Sequence, residues 1–234
     1  MILDSFKLHT VIIQLQYPNA YELWDRAGAI GRRLSTIWSD LELIEGTPQQ
    51  QGFRARDVHI QTALRQSTIT LTGANPLDPQ KIQQAKETFE VWRETLILSE
   101  IKRISTRATY AKEFPSMKEA NAEIFALNLA RWPTAKVFDQ PIEADLNGLE
   151  LSYRFEDENS FSFLRVKAEQ IKFEAELNPE FVDESRIEKS KHRMIIDFDR
   201  GLLGSVSAEK FRMDDWIKGY QHILRRDIEK ITKA

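Results

Sequence analysis

The 234-residue chain sets 33 Lys and Arg against 36 Asp and Glu, and a net charge of −3 gives no global positive field for nucleic acid. With 41% hydrophobic and 29% charged residues it has the composition of a folded globular protein. The absence of cysteine excludes disulfide frameworks, thiolate metal sites and cysteine nucleophiles, and no apolar run is long enough for a membrane helix.

The opening residues, Met1 to Lys7, lack the basic, apolar and small-residue succession of a secretory signal, so the expected location is the cytoplasm. His9 to Tyr17 alternates, with Val11, Ile13, Leu15 and Tyr17 on one side, and predicts a strand buried on one face. Pro18-Asn19 then opens a predicted helix. Its stripe reads Tyr21, Trp24, Gly28, Gly31, Leu34 and Trp38, with the two glycines placed for close helix-on-sheet approach. The Gly/Pro/Gln-rich stretch from Gly46 to Gly52 reads as a loop. Arg54 to Ala63 and Ser67 to Gly73 read as two extended runs joined through Arg65-Gln66 into a hairpin.

Asp78-Pro79 has the pattern of an N-cap followed by proline at the first helical position. The helix it starts carries Ile82, Ala85, Phe89, Trp92 and Leu96 on one face. Ile101 to Tyr110 returns to extended character. Lys112 to Ser116 is the best joint in the chain, with Ser116 placed to cap a helix running to Ala130. Alternating runs follow over Val137 to Leu146, Leu149 to Phe155 and Phe161 to Leu177, the first two joined by the hairpin dipeptide Asn147-Gly148. Arg193 to Asp199 reads as a further strand. Asp214-Asp215 opens a final helix with the stripe Trp216, Tyr220, Ile223, Leu224, Ile228, Ile231.

These elements predict an α+β fold of mixed, mostly antiparallel sheets with amphipathic helices packed on them, in two loosely similar halves. The expected division is 1–114 and 115–234, closely packed, with a single domain as the alternative. Dividing after Met117 gives net charges of +1 and −4, too small an asymmetry to assign a polyanion partner to either half.

Three stretches resemble an uncharacterised, sporadically distributed family of bacterial proteins of about this size. They are Val11-Ile12-Ile13-Gln14-Leu15, the pair Phe89 to Arg93 and Ile101 to Tyr110, and Ile195 to Asp199 followed by the helix containing His222. Ser105-Thr106 stands where that family has Gly-Leu. The resemblance implies fold and bacterial origin, and its sporadic distribution is compatible with an accessory role such as phage defence. It brings no activity.

No P-loop, dinucleotide-binding, nucleophile-elbow, zinc-protease or EF-hand motif occurs. Asp197 and Asp199, at i and i+2, project to one face of a strand, as do Glu174 and Glu176. Together the four carboxylates could hold Mg²⁺ for phosphodiester cleavage. The simpler expectation is that they face water while Met194, Ile196, Phe198, Phe173, Ala175 and Leu177 face the core. The histidines His9, His59, His192 and His222 form no local metal pair. Arg54 and Arg56, and Arg103 and Arg107 beside Ser105 and Thr109, would form a four-guanidinium phosphate grip if their strands were neighbours. Smaller basic clusters lie at Lys189 to Arg193 and at Arg225-Arg226. Trp24, Trp38, Trp92 and Trp216 are expected in the core, with Trp132 the one left for exposure.

The leading expectation is a non-enzymatic interaction protein with a protein partner or a second copy of itself, no cofactor and no membrane partner. Nucleic-acid or nucleotide binding through Arg54, Arg56, Arg103 and Arg107 is the first alternative. A metal-dependent phosphodiesterase or nuclease is the second.

Overall fold

A computed structural model describes residues 2–130, 148–176 and 186–233. A short 3₁₀ turn (Ile2–Ser5) leads into β1 (Lys7–Gln16), α1 (Glu22–Ile37), β2 (Glu42–Thr47), β3 (Gln50–Ala55), β4 (Val58–Ala63), β5 (Gln66–Leu71) and α2 (Pro79–Thr95). Then come β6 (Glu100–Phe114), α3 (Met117–Ala126), β7 (Glu150–Glu156), β8 (Ser160–Glu176), β9 (Arg186–Ser207) and α4 (Met213–Lys233). The strands form one antiparallel sheet in the order β2-β3-β4-β5-β1-β6-β9-β8-β7.

That order contains a repeat. Strand–helix–strands–helix occurs once as β1–α1–(β2–β5)–α2 and again as β6–α3–(β7–β9)–α4. In each run the first strand pairs with the last, and the others step outward to an edge. The two first strands, β1 and β6, pair at the centre, from Lys7 opposite Ala111 to Gln16 opposite Arg103. The sheet is continuous across position 114, because β6 is bonded to β1 on one side and to β9 on the other.

Local chemistry explains the boundaries. Asp78 accepts the Gln80 N–H at 2.9 Å and Ser116 accepts that of Glu119 at 3.2 Å, so both expected caps form. The helix after Pro18 starts four residues late. Tyr17 and Ala20 first donate their N–H groups to Arg65 and Leu64 O, which binds the chain to the β4–β5 turn. The expected hairpin forms, with Thr62 opposite Ser67, but the run expected from Arg54 to Ala63 is broken by a turn at Arg56-Asp57 into β3 and β4, which pair with each other.

The helices lie on one face of the sheet, where each is tied down by named bonds. Trp92 Nε1 donates to Thr62 of β4 at 2.8 Å and Trp216 Nε1 to Thr106 of β6 at 2.8 Å. The Tyr220 hydroxyl donates to Phe198 O at 2.7 Å, and Lys112 Nζ to Glu123 of α3 at 2.7 Å. Trp38 Nε1 links α1 to Thr88 of α2 at 2.9 Å. Between the layers lie Val11, Ile13, Leu15, Ile60, Ile69, Leu71, Phe89, Trp92, Met194, Ile196 and Ile217.

Four expectations are corrected. The buried stripe of α1 is Leu23, Ile30 and Leu34, so Tyr21 and Trp24 are half-exposed and stack on each other 5.2 Å apart. Of the two glycines, only Gly31 meets the sheet, where a Cβ would stand 3.2 Å from the Phe53 ring. The stretch read as a loop from Gly46 to Gly52 is the β2–β3 hairpin. Every residue of β2 is exposed, which erases the burial alternation by which a strand is read. In β8 the apolar phase breaks at Phe163-Leu164. Leu164, Val166 and Ala168 are buried under the helices, while Phe161, Phe163 and the half-exposed Phe173 point the other way. The expected strand at Val137 to Leu146, most of its hairpin and Trp132 lie outside the described residues.

Candidate functional site

The opposite face of the sheet carries no helix among the described residues. Ladder register fixes its grid, because directly opposed residues of an antiparallel pair project to the same side. One row runs Arg54, His59, Thr70, Ile12, Arg107, Asp199, Phe163, Arg154 across β3 to β7. The row beside it holds Ser105, Gly201 and Phe161, and the next Thr109, Asp197 and Arg165.

The register thus decides the fate of the two charged groups singled out from the sequence. Arg103 and Arg107 share the open face with Arg54, but β4, β5 and β1 intervene. At about 4.8 Å per strand, Arg54 lies roughly 19 Å from Arg107. Arg56 is in the turn after β3, which ends at Ala55, and stands beside Asp57 and Asn75 near the start of α2. The condition for a four-guanidinium grip, neighbouring strands, is not met.

Asp197 does share a face with Asp199, yet it is buried and not bathed in water. Arg107 grips it in a fork, Nε to Oδ1 at 2.7 Å and Nη2 to Oδ2 at 2.5 Å, with Thr109 Oγ1 3.4 Å from Oδ1. The bond to Asp197 raises the Arg107 pKa further above its ordinary value. Glu174 and Glu176 lie on β8, but their side chains are outside the described residues. Among the described residues no group of three or more His, Asp or Glu gathers as a metal site.

Most charges on this face are matched. Arg165 stands 3.2 Å from Glu150, Lys191 2.7 Å from Glu113 and Arg154 2.6 Å from Glu156, while Glu169 takes both Lys167 and Arg193. Arg165 keeps its Nε buried and without a hydrogen bond despite the nearby Glu150, and two further side chains in the middle have no ion pair at all. Arg103 lies over the Phe161 ring, 4.6 Å from its centroid, with its Nε buried and unbonded. Asp199 has Oδ1 buried and unbonded. Phe161 lies flat across Gly201, where a Cβ would come within 2.2 Å of the ring, so the glycine makes the room for this stack. Phe163 carries the Arg165 guanidinium 5.4 Å from its centroid.

Burial raises the Asp199 pKa above the ordinary 3.8, with Asp197 adding to the rise and Arg107 and Arg103 opposing it. A carboxyl whose folded pKa is raised stabilises the fold below its unfolded pKa. That contribution is lost as pH climbs through the raised value. Asp199→Asn removes the titration. Measured by urea unfolding at concentrations that keep the chain monomeric, its stability relative to the natural chain is expected to rise with pH from about 3.8 upward. A pH-independent difference would contradict this reading.

The sequence reading missed Phe161, Phe163 and Arg165 as surface groups. The available signal was the alternation Phe161, Phe163, Arg165, Lys167, which opposes Leu164, Val166 and Ala168 once the phase break is admitted. Of the histidines, His9 and His59 lie on strands β1 and β4, His192 on β9, and His222 is exposed on α4.

No family model matches the chain, and no curated protein does. The likeness to the sporadic bacterial family therefore stays a resemblance of short motifs. Among solved structures the chain is similar to one described as "Structure of crystal form I of TP0453", at 12% identity and a TM-score of 0.18, covering 89% of this chain and 92% of that one. An overlap of that quality carries no argument about fold or function.

Proposed function

We propose that the chain is a non-enzymatic interaction protein of the bacterial cytoplasm that works through the open face of its sheet, docking a second copy of itself. The observation that carries this reading is the pair Arg103 and Asp199. On this face one guanidinium and one carboxylate lie on adjoining strands, two rows apart, each feeling the other's charge and neither held in an ion pair among the described residues. A two-fold contact brings residue i of each copy to residue j of the other. Placed face to face, two copies set the Arg103 guanidinium of each against the Asp199 carboxylate of the other. The aromatic rings of Phe161 and Phe163 and their stacked arginines supply the residue types that anchor interfaces.

Charge balance favours this reading over nucleic acid, and the Arg107 fork over a nuclease. With Arg107 committed to Asp197, neither group is free for phosphate or Mg²⁺ without breaking a buried ion pair. Among the described residues no helix is long and apolar enough to cross a membrane.

Light scattering on the eluting full-length chain tests the proposal through a charge swap. The natural chain is expected at twice its own mass, Arg103→Asp and Asp199→Arg each as monomers, and the double swap as a dimer again. A natural chain that is strictly monomeric overturns the proposal. So does dimerisation indifferent to both reversals. Binding of a DNA duplex that weakens steeply between low and physiological salt and is lost on Arg103→Ala with Arg107→Ala would establish the nucleic-acid reading instead.

A further inference from the structure

On the helix side of the sheet, beneath the C-terminal half of α4, lies a pocket of about 360 Å³. Leu164 and Phe198 form its floor and Leu224 and Ile228 its roof, with the half-exposed Phe155 at the mouth. One cation reaches it from the floor. Arg200 Nη1 donates to Ser162 Oγ at 3.0 Å, and its charge acts on Asp157 without an ion pair forming between them. The carboxylate that does line the pocket, Asp227, is committed elsewhere. Arg226 holds both its oxygens at 2.7 Å and Lys230 lies 3.3 Å away. That bonding to Arg226 keeps the Asp227 pKa below the ordinary carboxylate value, so it stays charged and satisfied.

From this geometry we infer a binding site for an amphipathic monocarboxylate, its apolar tail between the sheet and α4 and its head on Arg200. Mostly apolar walls with a few placed polar groups, here Arg200 on Ser162 and the Asp227–Lys230 pair, are the usual make-up of small-ligand sites, and the volume falls in their range. At about 30 Å³ per heavy atom, the share of one molecule in liquid water, the pocket holds roughly a dozen heavy atoms. A guanidinium already anchored by Ser162 presents its remaining N–H groups in the planar fork that suits a carboxylate. The site is on the opposite side of the sheet from Arg103 and Asp199, and it stands or falls independently of the self-association proposed above.

Calorimetric titration of the full chain with sodium decanoate, kept below its micelle concentration, tests the inference. Saturable binding at one site per chain is expected, weakened at least tenfold in Arg200→Gln. On the unaltered chain, 1-decanol and decyltrimethylammonium are expected to bind at least tenfold more weakly than decanoate. That comparison decides the matter even if the variant fails to fold. No saturable decanoate binding overturns the site. Equal binding of the alcohol or the cation overturns the role of Arg200 and with it the ligand class, as does uptake of many molecules per chain.

Discussion

Replacing Trp92 by Ala is expected to lower the unfolding free energy by about 3–5 kcal/mol, the range for emptying a large aromatic from a packed core. Trp92 is fully buried where α2 crosses the sheet. Its indole N–H is bonded to Thr62, itself without solvent exposure, so the substitution also leaves a buried hydroxyl with one partner fewer. Trp92→Phe keeps most of the volume and isolates the second effect, with an expected loss of about 1–3 kcal/mol. Trp24→Ala is the control. Half-exposed and stacked only on Tyr21, it should change stability by no more than about 0.5 kcal/mol. Urea unfolding followed by circular dichroism reads all three. A Trp92→Ala loss as small as that of Trp24→Ala would mean that α2 is not seated on β4 as described.

The contrast between these two tryptophans shows where the sequence was readable. Both fall at three- and four-residue spacing with other apolar residues. In α2 the stripe Ala85, Phe89, Trp92, Leu96 has no rival, because the other face is Gln83, Lys86, Glu90 and Glu94. In α1 two stripes compete, Tyr21-Trp24-Gly28-Gly31 and Leu23-Ile30, both leading to the buried Leu34 and Trp38, and periodicity alone does not rank them. Packing ranks them: glycines bury nothing, whereas Leu23, Ile30 and Leu34 fill the layer between helix and sheet. Caps were legible at Asp78 and Ser116 because a cap acts within three residues. The edge strand β2 was not, since a strand exposed on both faces has no buried row to betray it.

Site chemistry was legible only in its parts. The carboxylate pair and the guanidinium pair could each be placed on a strand face from alternation. Whether they met depended on strand order, a property of the whole sheet. Asp197 and Arg107 are 90 residues apart and became partners because the first strand of the second repeat, β6, pairs with its last, β9. Arg54 and Arg103 are closer along the chain, yet three strands separate β3 from β6. The grip was conditional on β3 and β6 being neighbours, and the strand order decides that condition.

That pairing sets the second large effect. Arg107→Ala is expected to cost about 2–3 kcal/mol. Removing one partner of a fully buried ion pair costs about 3–5 kcal/mol because the other charge is stranded. Here Asp197 is only 6% exposed at its side chain but Arg107 is 48% exposed, so water reaching the guanidinium side softens the loss. Once the fork is gone, Thr109 Oγ1 at 3.4 Å is a weak remaining donor to Asp197. Combining Arg107→Gln with Asp197→Asn replaces two charges by two neutral amides and leaves no buried ion. The double variant should therefore be more stable than Arg107→Ala. A double-mutant cycle closed with the single variants Arg107→Gln and Asp197→Asn should show a coupling energy of at least about 1 kcal/mol. Additive losses would mean that the fork contributes nothing. The burial of Asp197 would then need a cause other than the guanidinium that covers it.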